Sequence, residues 1–160
     1  MATYNVTGVG GTTGHPSNGR TPYMVENTID VSAVNGDSGS AQNDVLKCID
    51  VPAETLIMAA GVEVLTACSS SVVIDIGVTG STAGFSDPDA YVDAYDATGA
   101  AYSGTLGVFP LICKVADTID ALMAGAASSA GKIRVWAILC DLSGIDESDN
   151  NTSTQHDTAV

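Results

Sequence analysis

The chain has 160 residues, enough for one ordinary domain in which roughly 70% of the unfolded chain's surface can be buried. Its composition, 45% hydrophobic and 15% charged, belongs with globular rather than disordered chains. Five basic against 19 acidic residues leave a formal net charge of -14, which repels phosphate and argues against nucleic acid or an anionic membrane as partner.

The five basic residues, Arg20, Lys47, Lys114, Lys132 and Arg134, are scattered and form no stripe. The opening MATYNVTGVGG has neither the basic start nor the apolar stretch of an export signal, so none is expected. Apolar runs are strand-sized, short of the 18 or more residues of a membrane span. Without secretion, the sequons at Asn5, Asn150 and Asn151 carry no meaning. Cys48, Cys68, Cys113 and Cys140 each lie in or beside an apolar stretch and make no CxxC, so the expectation is four buried free thiols.

In chain order, residues 1–21 are rich in Gly, Thr and Asn with few apolar anchors, and read as an extended N-terminal arm with a short strand at Tyr4 to Val9. The body, residues 22–142, opens with Tyr23, Val25, Ile29, Val31 and Val34, the pattern of one or two strands. A polar loop from Asn35 to Asn43 follows, then a strand from Val45 to Val51 stopped by Pro52. Thr55 to Ala67 is largely apolar, with Gly61 marking a turn or bulge. Val72, Ile74, Ile76 and Val78 alternate with Val73, Asp75 and Gly77, the period of a half-buried strand. In GFSDPDAYVDAYDATG, Ser86 as N-cap, Pro88 in the first turn and the acids beside it predict a short helix ended by Gly99. Leu106 to Val115 and Lys132 to Leu142 are further strands, and Asp117 to Leu122 is a strand or a helical turn. Residues 143–160 are polar and acidic, a flexible C-terminal tail. Seven or eight short strands at spacings near a dozen residues predict a mainly β fold. The architecture expected is an antiparallel β-sandwich or jelly-roll-like domain with one short helix.

Chemistry is thin. Gly36-Asp37-Ser38-Gly39-Ser40 resembles the nucleophile stretch of trypsin-like proteases, but a triad needs a positioned imidazole. His15 sits in the arm and His156 in the tail, so Ser38 has no base and the stretch reads as a solvated loop. Asp87, Asp89, Asp93 and Asp96, with Asp75 nearby, begin like a calcium loop. The pattern fails at Tyr91, Val92 and Thr98, where positions five, six and twelve would fall. Those acids read instead as a helix N-terminus and a soluble face. Paired carboxylates for glycoside hydrolysis would want an aromatic-lined cleft, and the chain has one Trp. GVGGTTG lacks the lysine and following helix of a phosphate loop. Trp136 shares a strand face with Lys132, Arg134 and Ile138, opposite Ile133, Val135, Ala137 and Leu139, and reads as core filling or a subunit contact. No enzyme activity, cofactor or metal is expected.

The succession NDVLKCIDVPAETLIMAAGVEVLTA, VVIDIGVTG, DPDAYVDAYDAT, ADTIDALMAG and GKIRVWAILCDLS is similar to small virion structural proteins of tailed phages, those of marine phages and cyanophages among them. It covers residues 22–142 and resembles the capsid decoration, or cement, proteins. The resemblance implies a trimer on the outer surface of the capsid, clamping neighbouring subunits of the major capsid protein with a β-sandwich body and an extended arm. On that basis the partners are the major capsid protein and the chain itself, as a homotrimer. The capsid contacts are expected between Thr3 and Tyr23: Thr3, Tyr4, Val6, Val9, His15, Arg20 and Tyr23, with Arg20 facing a capsid carboxylate. A low-copy fibre, spike or tail-associated protein, and a non-catalytic carbohydrate- or calcium-binding module, are the alternatives.

Overall fold

The computed structural model describes residues 20–143, apart from 70, 81–85 and 100, and the backbone alone of residues 101–106. Two antiparallel sheets face each other across one hydrophobic core, so the fold is the expected β-sandwich. The strands are β1 (Tyr23–Asp30), β2 (Asp44–Val51), β3 (Thr55–Thr66), β4 (Val73–Val78), β5 (Asp87–Asp96), β6 (Ala101–Gly107), β7 (Leu111–Cys113), β8 (Asp117–Ala124) and β9 (Lys132–Asp141). The first sheet is ordered β1-β9-β3-β6, with β7 also pairing β3, and the second β2-β8-β4-β5. β6 and β7 lie in succession along the same strand, β6 against Ala60 to Val64 and β7 against Thr55 to Ile57. Pro110, which has no backbone N–H to give a ladder, stands in the break between them.

The period-two alternation makes the core. On β9, Ile133, Val135, Ala137 and Leu139 are buried while Lys132, Arg134, Trp136 and Ile138 are half-buried on the other face. β3 contributes Ile57, Val62 and Val64 from the same sheet. Facing them are Ile74, Ile76 and Val78 of β4 and Ile119, Ala121 and Met123 of β8, every one of them fully buried. Burying an Ile or Leu side chain is worth about 1.5–3 kcal/mol, so these two inner faces dominate the favourable side of folding. At one edge of the sandwich the Asn27 amide on β1 donates to the Cys48 carbonyl on β2 at 2.9 Å, tying the two sheets together.

Three expectations are corrected. The segment from Ser86 to Gly99 is not a helix: Asp87–Asp96 is the edge strand β5, paired antiparallel to β4. Pro88 is tolerated because it is the second residue of an edge strand, where a missing N–H breaks nothing. The helix-like stripe of Tyr91, Val92 and Tyr95 arises from bulged pairing with β4 and a positive φ of 52° at Ala94, which resets the alternation. Tyr91 then closes the sandwich end, its ring edge-on to Phe109 at a centroid distance of 6.4 Å.

The second correction concerns the helix itself. Among the described residues the one helical segment is a 3-10 turn at Val31–Ala33 running into a kinked turn, α1 (Val34–Asp37), where a strand end and a polar loop were expected. Asp30 caps it by accepting from the Ser32 N–H at 3.1 Å. Asn35 and Asp37 take positive φ (55° and 67°), which short polar side chains tolerate best after glycine. Thirdly, the bulges of β3 fall between Ile57 and Ala59 and between Val64 and Thr66 in its pairing with β9, and Gly61 lies in regular register opposite Trp136. The ambiguous segment from Asp117 is a strand, β8.

Two substitutions test the packing. Ile119→Ala empties a fully buried site between the sheets and is expected to cost about 2–5 kcal/mol in urea unfolding. At Gly77 an added Cβ would lie 2.0 Å from the Asp87 carbonyl oxygen, so Gly77→Ala must push β5 off β4. That variant is expected to lose about 1–3 kcal/mol, although it adds a single methyl.

Candidate interface

Register decides which side chains share the outer face of the first sheet. Met24 pairs with Ile138, Glu26 with Trp136, Thr28 with Arg134 and Asp30 with Lys132. On the other side of β9, Ala59 pairs with Ile138, Gly61 with Trp136 and Glu63 with Arg134. Further along, Leu56 pairs with both Cys140 and Ile112. The face is therefore divided: one end is apolar, built from Met24, Ile138, Leu56 and Ile112, and the other carries rows of opposite charge. Trp136 stands at the boundary, opposite Gly61 in register.

The charges on this face are paired across strands. Arg134 Nε donates to Glu63 Oε2 at 3.0 Å and Nη2 donates to the same oxygen, while Glu26 Oε2 lies 4.0 Å from Nη1. Hydrogen bonding to Glu63, then its charge, raises the Arg134 guanidinium pKa above its ordinary value. Lys132 Nζ lies 3.7 Å from Asp30 Oδ2. Met24, Glu26, Glu63, Arg134 and Trp136 line a shallow groove of about 300 Å³.

The opposite sheet differs. Its strands carry Asp44 and Asp50 on β2, Asp75 on β4, Asp87, Asp89, Asp93 and Asp96 on β5, and Asp117 and Asp120 on β8, against Lys47 alone. Several of these acids serve local backbone. Asp75 Oδ1 accepts from the Ala94 N–H at 2.7 Å, and Asp96 Oδ1 accepts from the Thr98 N–H at 2.9 Å and its hydroxyl at 2.6 Å. Those bonds hold the Asp96 carboxyl below its ordinary pKa, whereas a hydrogen bond with Asp89 pushes that of Asp87 up. Among the described residues no three His, Cys, Asp or Glu side chains converge as metal ligands. Asp120 is fully buried, with Oδ2 accepting from the Thr79 N–H and hydroxyl.

The protease-like stretch is a packed turn. Ser40 and Ser128 exchange both backbone hydrogen bonds at 2.9 Å, and Gly39, at φ 80°, has no room for a Cβ against the Ser128 backbone. Ser38 is exposed at the end of α1, and both histidines, His15 and His156, lie outside the described residues. Four thiols are free and buried, as expected. Of the expected capsid-contact residues, Thr3, Tyr4, Val6, Val9 and His15 lie outside the described residues. Arg20 Nη1 donates to the Asp141 carbonyl at 3.1 Å, and Tyr23, 40% exposed, begins β1 opposite Leu139. What the sequence did not reveal is the pairing of Arg134 with Glu63 and Glu26, because it depends on the register of three strands.

The fold defines a class, the two-sheet antiparallel β-sandwich. Comparison with solved structures finds it in phage capsids. A chain in the acidic stable capsid structure of Helicobacter pylori bacteriophage KHP30 matches with a TM-score of 0.53 at 10% identity, over 74% of this chain and 86% of that one. A chain of the cyanophage Pam1 capsid asymmetric unit matches with a TM-score of 0.54 at 14% identity, over 77% and 86%. One from the capsid of Ralstonia phage GP4 gives 0.54 at 13%, over 76% and 84%. No protein-family model and no curated protein matches the chain. At these identities the likeness is one of fold.

Burial makes a testable statement about the thiols. The Cys48 thiol is pushed up to about 12, chiefly by desolvation, so it stays protonated at neutral pH. Folded protein at neutral pH is expected to leave Cys48 unmodified by a thiol-alkylating reagent over hours, with full modification on unfolding, read by peptide mass spectrometry. Rapid labelling in the folded state would contradict the packing of β2.

Proposed function

We propose that this chain is a structural component of a tailed-phage virion: a capsid decoration, or cement, protein that binds the outer surface of the head as a homotrimer and braces neighbouring subunits of the major capsid protein. The observation that carries this reading is that three phage capsid structures contain chains with this fold. Coverage is high in both directions, so each of those neighbours is a small chain of similar length rather than a domain inside a large shell protein. That favours an added shell component over the shell protein itself.

The physical character of the chain supports the same reading. A surface with a net charge of -14 is suited to the outside of a head, away from packaged DNA. Asp75 and Asp96 serve nearby backbone and the Ser38 stretch is a turn, and in this reading the sandwich braces the shell. In this reading the domains divide as residues 1–21, 22–142 and 143–160, an arm, a sandwich and a tail. The arm, with Thr3, Tyr4, Val6, Val9, His15, Arg20 and Tyr23, makes the main capsid contacts. A segment that orders on binding covers much surface per residue, and three arms per trimer raise the effective concentration of each.

Heads stripped of this chain, mixed with the purified protein and pelleted, test the reading. Full-length protein is expected to saturate the heads at a fixed ratio and to raise their resistance to heat. A form beginning at Pro22 is expected to keep the sandwich, with an unchanged β-sheet circular dichroism spectrum, and to bind at least tenfold more weakly. Tight binding by the truncated form would overturn the role of the arm, and no binding by the full-length protein would overturn the decoration reading.

A further inference from the structure

We propose that the outer face of the β1-β9-β3-β6 sheet is the surface each copy of this chain presents to another copy, the other sheet being turned to solvent. The inference deepens the homotrimer reading above and rests on it only for the number of copies.

Charge selects the occupant. Two copies each carrying -14 repel, and the repulsion is least where carboxylates are already neutralised. On the proposed face, the outward-facing acids Glu26, Glu63 and Asp30 are set against Arg134 and Lys132. The strands of the opposite sheet set eight carboxylates that reach the surface, and the buried Asp120, against Lys47 alone. A like-charged chain can therefore approach the first face and not the second. The rows of both signs also offer partners in register for the equivalent rows of a second copy.

Two of the exposed large apolar side chains stand on the same face. Met24 is 62% exposed and Ile112 49%, and Ile138 and Trp136 are half-buried between them. Single exposed apolar residues are ordinary, but these are joined by strand register across β1, β9, β3 and β7. At about 4.8 Å per strand and 3.3 Å per residue, four strands make a face on the order of 600 Å² in projection. That is comparable with the roughly 800 Å² per partner of a stable interface. An apolar end that meets a charge-paired end at Trp136 and Arg134 brings together residue types enriched in such contacts.

Trp136 is the sole tryptophan, so its fluorescence reports on this face alone. The experiment is sedimentation velocity of the full-length protein over a concentration series, with emission spectra of the same samples. Association is expected, accompanied by a blue shift of Trp136, and strengthened by added salt because salt screens the net repulsion. Met24→Glu and Ile138→Glu, placed on the solvent side of β1 and β9, are expected to keep the melting temperature within a few degrees and to weaken association at least tenfold. A monomer at every concentration overturns the proposal. So does association that both variants leave intact with the Trp136 spectrum unchanged, which would place the contact elsewhere. A Trp136 shift that appears only when heads are added would assign the face to the shell instead, and also overturns it. Failure here leaves head binding untouched, and failure of head binding leaves this result standing, so the two readings fall separately.

Discussion

The register of β9 between β1 and β3 is the constraint on which the other features rest. Side chains alternate with a period of two, so a slip of one residue would exchange the two faces of the strand. Ile133, Val135, Ala137 and Leu139 would leave the core, and Lys132, Arg134 and Trp136 would enter it. Burying those two cations without partners costs several kcal/mol each, which makes the alternative register inaccessible. The two bulges in the pairing of β3 with β9 lie toward its ends and leave the run from Ala59 to Val64 in step with β9. One register thus fixes the core, the position of the lone tryptophan and the alignment of Arg134 with Glu63.

That dependence explains what was legible in the sequence. The alternations in β4 and β9 are strict and near the centre of their sheets, so local pattern and tertiary position agree, and both strands and their buried faces could be read directly. β5 misled because a serine, a proline and acids at the start of a segment describe a helix N-terminus and an edge strand equally well. Its bulge at Ala94 then supplied the false helical stripe. The turn from Val31 to Asp37 was hidden for the opposite reason: Val31 is fully buried, and its apolar character looked like continued strand. Cross-strand partners such as Glu26 and Glu63 come from distant parts of the chain, and no local pattern could join them to Arg134.

Electrostatic asymmetry links the fold to a role. One sheet pairs its charges across strands and leaves Met24 and Ile112 exposed; the other carries acids that bond to nearby backbone, all but the buried Asp120 reaching the surface. In the proposed reading the first sheet is the side that is held and the second the side that is wetted. A net charge of -14 disfavours contact with DNA, and Arg20 donates to the Asp141 carbonyl at the end of β9. Decoration of a phage head joins these properties in one reading, in which many weak, chemically inert contacts act together.

The most direct test of that reading is the copy number of this chain in purified virions, measured against the major capsid protein by quantitative mass spectrometry. A decoration protein predicts a fixed, near-stoichiometric ratio to the shell subunit. A handful of copies per particle would move the chain to a fibre or tail position, and its absence from the particle would contradict the virion role altogether.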